Sequence, residues 1–203
     1  MLRFILLILL LIIIAPNTLG QDYRPSERDG IYAGLSLGTW VPDRSKNVLK
    51  NPLLFGLMGD IRRNDNAFGF SFDMIFGFKT EEYKINYGDS LLLKNSFVGG
   101  NLTFDYSREF WSWNRFMFEG ICGVGYGVLG FSGSSEDDID IKKSSIILNP
   151  GLSFRCLIGD HKYLQLKVQY SIANYNPKNN LGNSLRGNYF VAKLIFGDNY
   201  NKD

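Results

Sequence analysis

The segment Ala67-Phe68-Gly69-Phe70-Ser71-Phe72-Asp73-Met74-Ile75-Phe76-Gly77-Phe78-Lys79 decides the fold. Phe68, Phe70, Phe72, Met74, Phe76 and Phe78 recur at every second position, and Gly69, Ser71, Asp73, Ile75, Gly77 and Lys79 alternate with them. A helix would scatter six large apolar groups around its circumference, whereas a strand gathers them on one side. The segment therefore reads as a β-strand with a bulky apolar face and a small or polar one.

The same period-two pattern recurs on both sides of it, in residues 30–41, 52–62, 96–107, 115–131, 145–157, 163–171 and 187–196. Leu164, Leu166, Val168 and Tyr170, for example, alternate with Gln165, Lys167, Gln169 and Ser171. Most of these runs approach the ~9–11 residues that a tilted strand needs to cross a bilayer. The expected fold is all-β, an eight-stranded antiparallel up-and-down transmembrane barrel. The connections support it. Residues 42–51, 80–95, 132–144 and 172–186 form long polar links; 63–66 and 158–162 are short, and 108–114 is intermediate. Short turns at one end and long loops at the other are the habit of membrane barrels. Trp40, and the pair Trp111 and Trp113 in the third turn, are expected to join interfacial aromatic girdles.

The chain begins with a compartment signal. Arg3 gives a positive start, Phe4 to Ala15 is apolar throughout, Pro16 ends the run, and Thr18-Leu19-Gly20 offers a small residue for cleavage. About 12 apolar residues are short for a ~20-residue span, so residues 1–20 read as a cleavable signal peptide and 21–203 as one barrel domain. With no cysteine after the apolar run, lipid attachment at the new N-terminus is not expected. A net charge of +2 offers no concentrated basic face for nucleic acid.

A lipocalin is the rival reading, because that barrel keeps its apolar face inside. Gly38-Thr39-Trp40 matches the short Gly-x-Trp pattern of lipocalins. The polar face, however, is mostly Gly, Ser and Asn, which suits the narrow interior of an eight-stranded barrel better than a solvated exterior. The inward face then carries Asp60, Asp73, Asp105 and Glu119 on strands two to five, and Arg155, Lys167 and Lys193 on strands six to eight. Unpaired charges are costly in so narrow a space, so the two arcs are expected to pair across it as a salt-bridged plug. On that expectation Lys167→Ala destabilises the barrel or raises its conductance.

Chemistry is otherwise sparse. The single histidine, His161, falls in a short turn, so no Ser/His or His/Asp catalytic arrangement and no His/Cys metal site is expected. The acidic stretch Glu136-Asp137-Asp138-Ile139-Asp140 lacks the spacing of a calcium loop, and Asn101-Leu102-Thr103 is a sequon inside a strand. Cys122 and Cys156 occupy the same face of adjacent strands and could lie close together, as lipid-facing groups rather than a disulfide.

Gly30-Ile31-Tyr32-Ala33-Gly34-Leu35, Asn149-Pro150-Gly151-Leu152-Ser153-Phe154-Arg155 and the alternating strand ending at Phe196 resemble the small outer-membrane barrels of the OmpA-transmembrane-domain, OmpX and PorT-like type. The resemblance spans nearly the whole mature chain. It implies a monomer in a Gram-negative-type outer membrane, reached by export and signal removal. Its partners would be the lipid bilayer, lipopolysaccharide and the barrel insertion machinery. Such barrels often end on the aromatic residue of the last strand, whereas here residues 197–203 follow Phe196. No cofactor and no enzymatic activity are expected. A structural or surface-interaction barrel is the leading function, and a narrow small-solute pore or a lipocalin-like carrier are the alternatives.

Overall fold

The computed structural model describes residues 29–43, 51–77, 83–87, 90–94, 96–132, 141–158, 161–175 and 188–200. The strands in chain order are β1 Gly30–Pro42, β2 Leu53–Arg63, β3 Asn66–Gly77, β4 Tyr83–Tyr87, β5 Ser90–Lys94, β6 Ser96–Trp113, β7 Phe116–Ser132, β8 Ile141–Ile158, β9 Lys162–Ala173 and β10 Tyr189–Tyr200. Eight close into a barrel in the ring order β1-β2-β3-β6-β7-β8-β9-β10, every neighbour antiparallel, with β10 pairing back onto β1. Closure removes the free sheet edges that an open sheet of this length would expose. β4 and β5 form a separate two-stranded sheet inside the β3–β6 connection, where the sequence suggests only a polar loop.

The barrel has a turn end and a loop end. Two of the tight turns place Asn64 (φ 54°) and Asn114 (φ 51°) in the left-handed region, which asparagine tolerates better than most residues. The turn after β6 is tighter than expected. β6 runs on to Trp113, so 108–114 is not an intermediate connection but mostly strand. A register shift between Glu109 and Trp111 lets Glu109 oppose Glu119 and Trp111 oppose Phe118, leaving Phe110 as the extra residue of a β-bulge. The extra residue shifts parity by one, which turns Trp111 and Trp113 to the outer face, where they meet Phe118 and Phe116 at 5.2 and 6.3 Å. β10 likewise continues past Phe196 to Tyr200, so the expected end of the last strand is four residues short.

Alternation sorts the side chains as the period-two reading requires. Phe68, Phe104 and Ile146 are 67%, 61% and 70% exposed on the outer face, while Ser71, Asp73 and Ile75 are buried inside. The apolar face is thus outside, the reverse of a lipocalin. Trp40 corrects one expectation. It shares the parity of Tyr32 and Ser36, is 1% exposed, and stacks inside the barrel on Tyr189 at 4.8 Å and Phe97 at 6.3 Å. It belongs to an apolar cluster with Leu54, Ile75, Leu129, Phe131 and Val191 that fills the loop half of the lumen. Cys122 opposes Pro150 while Cys156 opposes Phe116, six residues apart along the β7–β8 ladder, so the two free thiols are not neighbours. Phe78, Lys79, the signal segment and the acidic stretch 136–140 lie outside the described residues.

Candidate functional site

The lumen from its middle to the turn end is built from charge. Strand parity points Asp60 and Arg62 of β2, Asp73 of β3, Asp105 of β6, Glu119 of β7, Arg155 of β8, Lys167 of β9 and Lys193 of β10 inward, and each is 8% exposed or less. All seven sequence-derived positions are therefore in the lumen. Glycine makes room for them at one close approach, since a Cβ on Gly123 would collide with Asp105 Oδ1.

The pairs cross the lumen. Arg155 Nη2 lies 2.7 Å from Asp60 Oδ2 and Nη1 donates to Oδ1 at 3.4 Å, the two-pronged geometry that a planar guanidinium gives. Its guanidinium carbon sits 4.5 Å from the Tyr32 ring centroid and 5.1 Å from that of Tyr163, so two aromatic faces clasp the cation. Lys167 Nζ meets Asp105 Oδ2 at 2.7 Å, and Lys193 Nζ pairs with Asp73. Each of these three pairs joins strands three or four places apart around the eight-membered ring.

Two members are missing from the sequence-derived network. Arg62 pairs with Glu119 and reaches Glu109 Oε2 at 3.2 Å. Arg62 stands two residues from Asp60 on the same face, so parity could have found it. Glu109 could not be found that way, because the expected strand stopped before it. Neutral donors complete the shell. Gln165 Nε2 donates to Glu119 Oε2 at 3.2 Å, and Gln169 Nε2 donates to Asp105 Oδ1 at 3.4 Å. Ser153 also donates to Glu119, and Ser171 donates to Asn149 Oδ1 at 2.6 Å.

Among the described residues the two cavities in the lumen are small. One cavity between the ion pairs and the apolar cluster, lined by Trp40, Asp73, Asn101 and Lys193, holds about 10 Å³. A second of about 10 Å³ lies nearer the turn end, lined by Asp60, Asp105, Arg155 and Lys167. Each has room for roughly one water. His161 is exposed in the turn before β9, where its carbonyl accepts the Asn199 N–H at 2.5 Å, far from the loop-end mouth.

No protein-family model and no curated protein matches the sequence. Solved structures do. Ail, the attachment invasion locus protein of Yersinia pestis, superposes with a TM-score of 0.51 at 19% identity over 85% of this chain and 97% of its own. Neisserial surface protein A gives 0.55 at 11% identity over 85% and 96%. The chain has the fold of the small eight-stranded outer-membrane barrels.

Proposed function

We propose, from the fold shared with those barrels, that this chain resides in the outer membrane of a Gram-negative-type bacterium as a closed, non-conducting and non-enzymatic scaffold. Its turn end faces the periplasm, and its long connections stand at the cell surface to meet lipopolysaccharide, partner proteins or other surfaces. Export with loss of residues 1–20, delivery by the insertion machinery, a monomeric state and the absence of a cofactor belong to the same reading. An outer face that is apolar on every barrel strand supports the membrane placement, since water would not tolerate so large an apolar belt.

The observation that carries the non-conducting role is the lumen itself. An apolar cluster closes its loop end, and buried ion pairs cross it from the middle to the turn end. Hydrated ions would have to break several buried pairs in turn, each of which is costly to break. The test has two steps. Outer-membrane fractions run with and without boiling should give a band whose mobility shifts on heating. The purified barrel in planar bilayers should then show no stepwise conductance. A soluble periplasmic protein would refute the placement, and regular conductance steps would replace the scaffold by a narrow pore.

A further inference from the structure

We propose that the outer surface where β2, β3 and β6 meet at the turn end binds the phosphate of an anionic glycerophospholipid. The inference rests on the membrane placement proposed above and adds a lipid site to it. In the described barrel strands, the outward-facing charged residues are Arg63, Arg108, Lys162, Asp198 and Lys142. The first four stand at the turn end, so three cations face one acid there.

Two of these cations are organised. Arg63 pairs with Asn66 across β2–β3, and Asn66 pairs with Arg108 across β3–β6, so the three form one lateral row on the outer face. Two strand spacings separate the arginine backbones, about 10 Å, and two guanidinium groups on long stems can close that gap around one phosphate. Asn66 is oriented for the same task. Tyr106 donates its hydroxyl to Asn66 Oδ1 at 2.6 Å, which leaves the amide nitrogen of Asn66 as a donor between the two cations.

No adjacent acid, Asp65 of the intervening turn included, is ion-paired to this row among the described residues. Glu109, next to Arg108, points to the lumen and is held by Arg62. Asp29 accepts the Asn64 N–H at 2.6 Å, and neither Arg63 nor Arg108 makes an ion pair among the described residues. The next outward row toward the barrel middle is Ile61, Phe68 and Tyr106, exposed by 63%, 67% and 37%, with the two rings 5.2 Å apart. A donor row above an apolar row is what a headgroup phosphate above an acyl chain requires. The stacking follows from strand geometry, because side chains two residues apart share a face. Charge complementarity selects an anionic lipid over a zwitterionic one, in which a choline or ethanolamine cation would meet the arginines.

The experiment is lipid selection by the reconstituted full-length barrel. Trp111 and Trp113 lie on the outer face at this end, while Trp40 is sealed inside, so brominated lipids quench by contact at the right place. Vesicles mix phosphatidylcholine with brominated phosphatidylglycerol, or with brominated phosphatidylcholine as reference. The wild type should favour the anionic lipid about fivefold or more, from surface attraction of roughly that size per arginine. R63Q/R108Q should bring the ratio close to one, while K142Q, at the opposite end, should leave it unchanged. A wild-type ratio near one, an unchanged ratio in the double variant, or an equal fall in K142Q overturns the proposal. A heat-shifted band from each variant shows that the barrel has formed. If the wild type lacks that band and does not insert, the membrane placement has failed and the lipid site falls with it.

Discussion

Lys167 and Asp105 meet across the lumen at 2.7 Å with each side chain almost wholly buried, so their two charges stand or fall together. Removing one leaves the other uncompensated, at a typical cost of ~3–5 kcal/mol, whereas replacing both by apolar groups of similar volume is often neutral. Lys167→Met is therefore expected to lower stability by about 3 kcal/mol, and Lys167→Met combined with Asp105→Leu to recover most of the loss. Urea unfolding followed by the fraction of unheated, fast-migrating band measures both, and additive losses would refute the argument. Gly123 tests the same pair from the neighbouring strand. An added Cβ collides with Asp105 Oδ1, so Gly123→Ala should cost ~1–3 kcal/mol by overpacking. In an Asp105→Ala background the obstacle is gone, and the same substitution should cost much less.

At the scale of the strand, the bulge at Phe110 makes a prediction about deletions. Phe110 is the surplus residue, since Glu109 already opposes Glu119 and Trp111 opposes Phe118. Deleting Phe110 should restore a regular ladder with both tryptophans still outward, and the heat-shifted band should persist. Deleting Phe104, five residues loop-ward of Glu109 in an unbroken ladder, should abolish the band, because a one-residue slip reverses every side chain beyond it. Equal effects of the two deletions would show that Glu109 and Trp111 do not flank a bulge. The same element marks the limit of what the sequence reveals. Wherever alternation is unbroken, as from Phe68 to Phe76, both faces are legible because a strand has no other way to place its side chains. At the bulge the period skips, so 108–114 reads as a turn although most of it is strand. Trp40 was misplaced for a different reason: its parity points inward, but aromatic residues near strand ends invite a girdle assignment. The charges on strands two to eight were legible as inward residues. Their partners were not, because pairing depends on the ring order and on tilt, which place β2 opposite β8.

For the molecule as a whole, the two lumen layers are obstacles in series. The apolar cluster around Trp40, Phe97 and Phe131 occupies the loop end, and the ion pairs of Asp73, Asp105 and Asp60 follow it from the middle toward the turn end. Resistances in series are governed by the tightest element, so opening one layer leaves the other in control. Trp40→Ala removes an indole that stacks on Tyr189, creating a cavity at the loop end that still has no route past Lys193 and Asp73. Lys167→Ala and Lys193→Ala loosen the charged layer beneath a cluster that remains apolar and poorly wetted. Neither change alone is expected to give stepwise conductance in planar bilayers, although both lower stability through cavities and unpaired charges. The triple variant W40A/K167A/K193A removes constraint from both halves and leaves Asp105 and Asp73 as uncompensated acids along the lumen. It is expected to conduct in small steps with a preference for cations, read from the reversal potential in a salt gradient. Conductance from Trp40→Ala alone would mean that the ion-pair layer is already permeable. A silent triple variant that keeps its heat-shifted band would mean that the remaining inward residues, Asn149 and Gln169 among them, close the lumen without help from the charges.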